Sequence, residues 1–301
     1  MDVLTTPKVV AVIPIHNGRE ETLAFLESMS HVSYPELEVI IVDDGSTDGS
    51  AEAIANSFPQ VGIVRGDGTL WWSGATNLGV REALKHGVEF ILTINNDTVV
   101  EPGFLEPLVE TAIANPRSIV TSKIHDFDDR TFICSFGGKI DWLLGEIRDV
   151  TNRRDRCDFN SLRECAWVNG SSTLVPAAAF REIGLFDRQE CPQYHGDAEF
   201  SLRARRHGFR LFAEPRSIIY RKTGVSAGDR SLDADSIPSL LKGIRSPFYF
   251  RANRKVYREY CPYRPYLLFL GIRYARLAYS LFRRTYIDRT RQTTGRVKED
   301  F

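Results

Sequence analysis

Along the first hundred residues, short apolar runs alternate with segments whose apolar positions recur every three or four residues. The runs KVVAVIPI (8–15), LEVIIVDD (37–44), VGIVRG (61–66) and VEFILTI (88–94) are rich in β-branched residues and read as strands. Between them, 19–30, 50–58 and 74–87 carry helical periodicity, and Pro102 opens a further helix. Nearly continuous apolar strands separated by helices predict an α/β fold, a doubly wound, mostly parallel sheet covered on both faces. Ligands of such sheets bind outside the carboxyl ends of the strands. Here those ends collect Pro14, His16 and Asn17, then Asp43 and Asp44, then Gly66-Asp67-Gly68, then Asn95, Asn96 and Asp97.

The pattern changes after about residue 118. SIVTSKI, TFICSFGGKIDWLLGEI and CAWVNGSSTLVP predict antiparallel strands and hairpins, with Gly137-Gly138 a turn. A helix follows over 177–186, and His195-Gly196-Asp197-Ala198-Glu199 opens another. This pattern divides the chain into a body, 1–235, with a nucleotide half (1–117) and an acceptor half (118–235), and a C-terminal helical tail, 236–301.

Charge sharpens that division. The net charge is zero, yet residues from 237 onward hold 15 Lys and Arg against 4 Asp and Glu, leaving 24 and 35 for the body. A basic tail on an acidic body points to an anionic partner for the tail and makes nucleic acid a poor one for the body. On a helical wheel for 266–284, Arg273, Arg276, Arg283 and Arg284 share a sector and apolar residues fill nearly all the rest. Such a helix either docks on its own domain or lies in an anionic membrane interface, and the arginines favour the interface. A homodimer is left open. Five scattered cysteines without a CxxC pair argue for a reducing compartment and against disulfides or zinc. With no signal peptide and no apolar run near 18 residues, a cytoplasmic protein, peripheral at most, is expected.

Two motifs carry chemistry. Asp43-Asp44-Gly45-Ser46 ends a strand; a helix cap needs one oxygen there, whereas two carboxylates can also accept hydrogen bonds from a nucleobase imide and a ribose hydroxyl. Asp97, at the end of Asn95-Asn96-Asp97, can hold Mg²⁺ or Mn²⁺ while the cation bridges two phosphates. Trp71 and Trp72, between the third strand and its helix, serve either as core or as a flat wall for a sugar or base. No GxGxxG follows the first strand, which excludes a dinucleotide-dependent dehydrogenase, and PIHNGREE is not the Gly- and Arg-rich loop of a nucleotidyltransferase.

The ordered set VVAVIPIHNGREETL, VIIVDDGSTDGS, GATNLGV, LTINNDTVVEPGFL and GDAEFSLRARRHG, over roughly residues 8–228, resembles the inverting glycosyltransferases of family 2, which adopt the GT-A fold. The resemblance implies sugar transfer from a nucleotide diphosphate donor, with Asp43 and Asp44 near the base and Pro14, His16, Asn17, Gly74, Asn77, Asn95 and Asn96 in the donor site. It aligns the Asn95–Asp97 triplet with the family's metal-binding DxD, with Asn95 in place of the first carboxylate. Asp197 then corresponds to the catalytic base, with Glu199 the second candidate. Trp71, Trp72, Asn169, Gly170, His195 and Arg221 are expected at the substrates. Arg221 or a neighbour stands where many members carry a histidine, and as a cation it can stabilise the departing diphosphate. WWSGATNLGV and VNGSSTLVPAAAFREIGLFD are most similar to rhamnosyltransferase-like members that build surface polysaccharide, implying a glycan or lipid-linked acceptor. A UDP-sugar transferase, with galactofuranose, glucose or galactose as the sugar, is the alternative within the family. An inactive sugar-nucleotide binding protein is the alternative outside it.

Overall fold

The computed structural model describes residues 6–222 and 237–283. β1 (Val9–Ile15), α1 (Arg19–Ser30), β2 (Leu37–Asp43), α2 (Ser50–Ser57), β3 (Gly62–Arg65), α3 (Trp71–Ala83) and β4 (Phe90–Ile94) realise the predicted alternation. β1 pairs in parallel with both β2 and β4, and β2 with β3. Alternation along β1 sends Val9, Ala11 and Ile13 into one apolar layer and Val10 and Val12 into the other. Burial on both faces is why the strand reads as an unbroken apolar run. α3 presses close to the sheet at Gly79, where a Cβ would meet Val12 Cγ1 at 2.4 Å and Val42 Cγ2 at 2.8 Å.

The next elements are β5 (Thr98–Val100), α4 (Leu105–Ala114), β6 (Ser118–Asp126), β7 (Ile133–Ser135), β8 (Gly138–Asp141), β9 (Glu146–Asp149), β10 (Arg163–Glu164), β11 (Ser172–Pro176), α5 (Ala177–Ile183), α6 (Gly196–Arg206) and β12 (Arg210–Arg221). All of the strands but β8 and β9 extend the first sheet: the order is β10-β12-β6-β11-β4-β1-β2-β3, with β5 on β12 and β7 on β6. β11 runs antiparallel between β4 and β6, whereas β6 and β12 are parallel. β8 and β9 form a separate hairpin.

Two helix starts differ from the sequence reading. α3 begins at Trp71, so the tryptophan pair lies in its first turn. The reason is remote: Asp44 Oδ2 accepts the amides of Leu70 and Trp71 at 2.9 and 3.1 Å, satisfying orphan N–H groups that a local cap usually takes. The helix after Asp97 begins at Leu105, three residues beyond Pro102, because residues 98–100 are drawn into a strand by pairing with Ile219–Arg221.

α7 (Ile237–Lys242), α8 (Phe250–Tyr260) and α9 (Tyr266–Phe282) fold back on the body. The Pro247 carbonyl accepts hydrogen bonds from His195 Nε2 (2.9 Å), Asn253 Nδ2 (3.1 Å) and Arg273 Nη2 (3.2 Å). Arg273 is buried and also donates to Gly145 O at 2.8 Å, and Arg276 pairs with Glu146 at 2.6 Å. These contacts correct the helical-wheel expectation. Arg273 and Arg276 dock α9 on the β8–β9 hairpin, and the outward face is apolar: Leu267, Leu268, Tyr279 and Phe282 are 59%, 57%, 65% and 53% exposed. Arg284 lies outside the described residues.

Candidate active site

A cleft of about 750 Å³ opens at the carboxyl edge of the sheet. Fourteen of the predicted residues line it: Pro14, His16, Asn17, Asp44, Trp71, Trp72, Asn95, Asn96, Asp97, Asn169, Gly170, His195, Asp197 and Arg221. They come from the ends of β1, β2 and β4, the first turns of α3 and α6, the segment before β11, and the end of β12. Asn17, Trp71 and His195 hold φ angles of 62°, 57° and 65°, a left-handed conformation that non-glycine residues keep only where the surroundings enforce it.

Four predicted residues stand outside the lining. Asp43 is buried and accepts the Ser46 amide at 2.8 Å, closing the turn after β2. Asn77 is spent on Phe186, donating to its carbonyl (2.8 Å) and accepting its amide (2.9 Å). Gly74 packs beneath Leu70. Glu199 is buried in an ion pair with Arg203 (2.9 Å) and accepts the Tyr260 hydroxyl at 2.7 Å. These four shape the frame rather than the cleft. Even Asp44, on the lining, gives both oxygens to backbone amides, of Gly68 (2.8 Å), Leu70 and Trp71.

Asp197 is built differently. Its oxygens accept only backbone amides, Gly170 at 3.2 Å and Ala198 at 2.8 Å, and no cation pairs with it among the described residues. Burial, only partly offset by those bonds, pushes its carboxyl up to about 6, and Asp149 nearby adds like-charge repulsion. Gly170 must be glycine for this contact, since a Cβ would meet the Trp72 ring at 2.5 Å. His195, the residue before the α6 start, is pushed down to about 4 by burial and by Arg273, so its imidazole is neutral, with the Nε2 proton on Pro247 O.

The triplet after β4 divides its work. Asn95 Oδ1 accepts the Trp72 indole N–H at 2.9 Å, and Asn95 Nδ2 donates to Ser171 Oγ at 3.2 Å. Asn96 Nδ2 donates to Thr22 at 2.9 Å, and its carbonyl oxygen takes no hydrogen bond among the described residues. Asp97 is the one carboxylate of the three. No group of three His, Cys, Asp or Glu able to hold a metal occurs among the described residues. This donor set fits a Mg²⁺ or Mn²⁺ that arrives with a diphosphate and takes its other oxygens from phosphate and water.

Asp149, Trp167, Gln193, Arg245 and Pro247 also line the cleft and were not singled out from the sequence. Asp149 shares a strand face with Ile147, two residues earlier, and that spacing was its only sequence signal. Gln193 Oε1 accepts the Trp72 amide at 3.1 Å. Trp72 is core and wall at once: it meets Phe186 edge-on, ring centroids 5.1 Å apart, and faces the cleft.

Comparison with known proteins accords with this geometry. The chain is 23% identical over 250 residues to N-acetylglucosaminyl-diphospho-decaprenol L-rhamnosyltransferase of Mycobacterium tuberculosis, covering 76% of this chain and 79% of that one. It is 27% identical over 214 residues to poly-beta-1,6-N-acetyl-D-glucosamine synthase of Staphylococcus epidermidis, covering 68% and 47%. Among solved structures, GalNAc-T7 with UDP, GalNAc and Mn²⁺ superposes with a TM-score of 0.61 at 17% identity, over 85% of this chain and 49% of that one. The mannosyltransferase PcManGT of Pyrobaculum calidifontis with GDP-Man and Mn²⁺ superposes with a TM-score of 0.54 at 17% identity, over 99% and 82%. The fold is GT-A, as the sequence resemblance implied. The Glycosyl transferase family 2 profile matches residues 10–169. With more than half of its length so matched, the chain belongs to glycosyl transferase family 2.

Proposed function

We propose that this glycosyltransferase works with inversion in surface-polysaccharide synthesis, moving a sugar from a nucleotide diphosphate donor to a glycan or lipid-linked acceptor. The observation that carries the reading is Asp197, a cleft carboxylate without a cationic partner among the described residues, raised to about 6. A base near neutrality combines a high ionised fraction with useful basicity. In a single displacement the acceptor oxygen attacks the anomeric carbon, its proton passes to Asp197, and the bond from the sugar to the diphosphate breaks. Asp97 and the Asn96 side-chain carbonyl would hold a Mg²⁺ or Mn²⁺ ion, which would supply charge neutralisation on the diphosphate. Asn17 and Asp44 shape the wall for the nucleoside. Asn17 Oδ1 accepts the Thr47 amide at 2.9 Å, joining the β1 and β2 turns.

Rhamnose from a dTDP donor is the first choice of sugar, supported by the rhamnosyltransferase relative that matches most of the chain; a UDP-sugar is the second. The outward apolar face of α9, with Leu143 and Leu144 of the hairpin turn also exposed, supports peripheral contact with a membrane that carries the acceptor. No helix of the described residues is long and apolar enough to cross one. A panel of dTDP-, UDP- and GDP-sugars, followed by NMR of the product's anomeric proton, tests the reading. Turnover of one donor with inverted configuration supports it, and retained configuration or no turnover of any donor overturns it.

A further inference from the structure

The cleft holds three arginines. Arg148 is committed: it pairs with Asp155 at 2.7 Å and Glu146 at 3.3 Å. Arg221 neighbours Asp149 and Cys134: burial pushes the pKa of both groups up, and the Arg221 charge offsets only part of that rise. Arg245 is the exception. It is exposed, has no hydrogen bond or ion pair to any described residue, and its guanidinium carbon lies 5.2 Å from the centre of the Trp71 ring. Trp71 in turn donates its amide to Asp44, so Arg245 stands over the α3 start, beside the loop from Gly68 to Trp71.

The backbone carrying Arg245 is pinned. Ser246 is buried and its amide bonds to Gly243 O at 3.1 Å. Pro247, two residues on, holds its carbonyl to His195, Asn253 and Arg273. The guanidinium is therefore delivered to the cleft by a fixed turn, with an aromatic face as its rest. A cleft whose lining carries Glu21, Asp44, Asp97, Asp149 and Asp197 does not bind a dianion without counter-charge. A guanidinium without a carboxylate partner supplies it, in the fork geometry that matches phosphate oxygens.

We propose that the turn at residues 243–247 completes the donor site, with Arg245 as a direct contact to the donor's diphosphate. This inference rests on the glycosyltransferase reading. Its test is calorimetric titration of the full-length protein and its Arg245→Ala and Arg245→Lys variants with UDP, dTDP and GDP, and with UMP, dTMP and GMP. Both series are run with Mn²⁺ and with EDTA. For the diphosphate that the wild type binds best, Arg245→Ala should weaken binding about tenfold or more, the usual worth of a hydrogen bond to a charged group. The matching monophosphate should change less than about twofold, and Arg245→Lys should recover part of the loss. Equal losses for mono- and diphosphate would make Arg245 a support for Trp71, and unchanged diphosphate affinity would remove it from the site; either overturns the proposal. Failure of the wild type to bind any diphosphate would sink the glycosyltransferase reading itself, and this inference with it.

Discussion

Trp72 and Asn95 share a hydrogen bond, indole N–H to amide oxygen, at 2.9 Å. It ties the first turn of α3 to the mouth of β4. An aspartate at 95 could accept from the indole, but it could not also donate to Ser171 Oγ, as Asn95 Nδ2 does. The charge of the triplet thus rests on Asp97. Trp72→Phe should cost about 1 kcal/mol of stability, the net worth of one hydrogen bond, measured by urea unfolding. An unchanged midpoint would mean that the bond contributes nothing.

Asp97→Ala should abolish the Mn²⁺-dependent part of diphosphate affinity and leave the metal-free part. Titration with and without EDTA separates the two. Equal Mn²⁺ dependence in wild type and variant would place the cation elsewhere.

Glu199 separates framework from chemistry. Removing one partner of a buried ion pair typically costs about 3–5 kcal/mol, so Glu199→Ala should unfold at markedly lower denaturant. Glu199→Gln, which keeps a carbonyl for Arg203 and Tyr260, should retain donor turnover per folded molecule. Loss of turnover in a well-folded Glu199→Gln would return Glu199 to the catalytic candidates.

The pH dependence follows from Asp197. As a base it must be ionised, so turnover should fall as pH drops through about 6. The stability sign is opposite to that of a salt-bridged acid. The folded pKa lies above the unfolded one, so the folded state binds the proton more tightly and the ionised carboxylate is a penalty above about pH 6. Asp197→Asn should therefore stabilise the protein at pH 7 by about 3 kcal/mol, the worth of a shift from 3.8 to about 6, and by little at pH 4. An equal effect at both would deny the shift.

Much of this was legible in the sequence, and the failures share a cause. Strand ends announce themselves because an apolar run stops at polar residues, so Asn17, Asp44, Asn95 and Asp97 were found together. What one residue does once there depends on neighbours far along the chain. Asp44 caps a helix that starts 27 residues later, and Asn77 clasps Phe186, 109 residues away. No local spacing records such partners. Arg273 misled for the same reason: its helical sector was read correctly, but which sector faces the body is set by the hairpin carbonyl of Gly145.

The tail gives a further expectation. Leu267→Glu with Phe282→Glu, on the outward face of α9, should release the full-length protein from anionic vesicles at low salt and leave donor hydrolysis unchanged. If the protein never binds such vesicles and instead sediments as a dimer that these changes dissociate, the face pairs with a second copy.

The most direct test of the account is the turnover of Asp197→Asn beside its donor affinity. A group that takes a proton only during attack contributes to the transition state and not to donor binding. The variant should lower kcat about 100-fold or more, the range general-base catalysis supplies, with the donor Kd within about twofold of wild type. Transfer at close to the wild-type rate would contradict the assignment of Asp197.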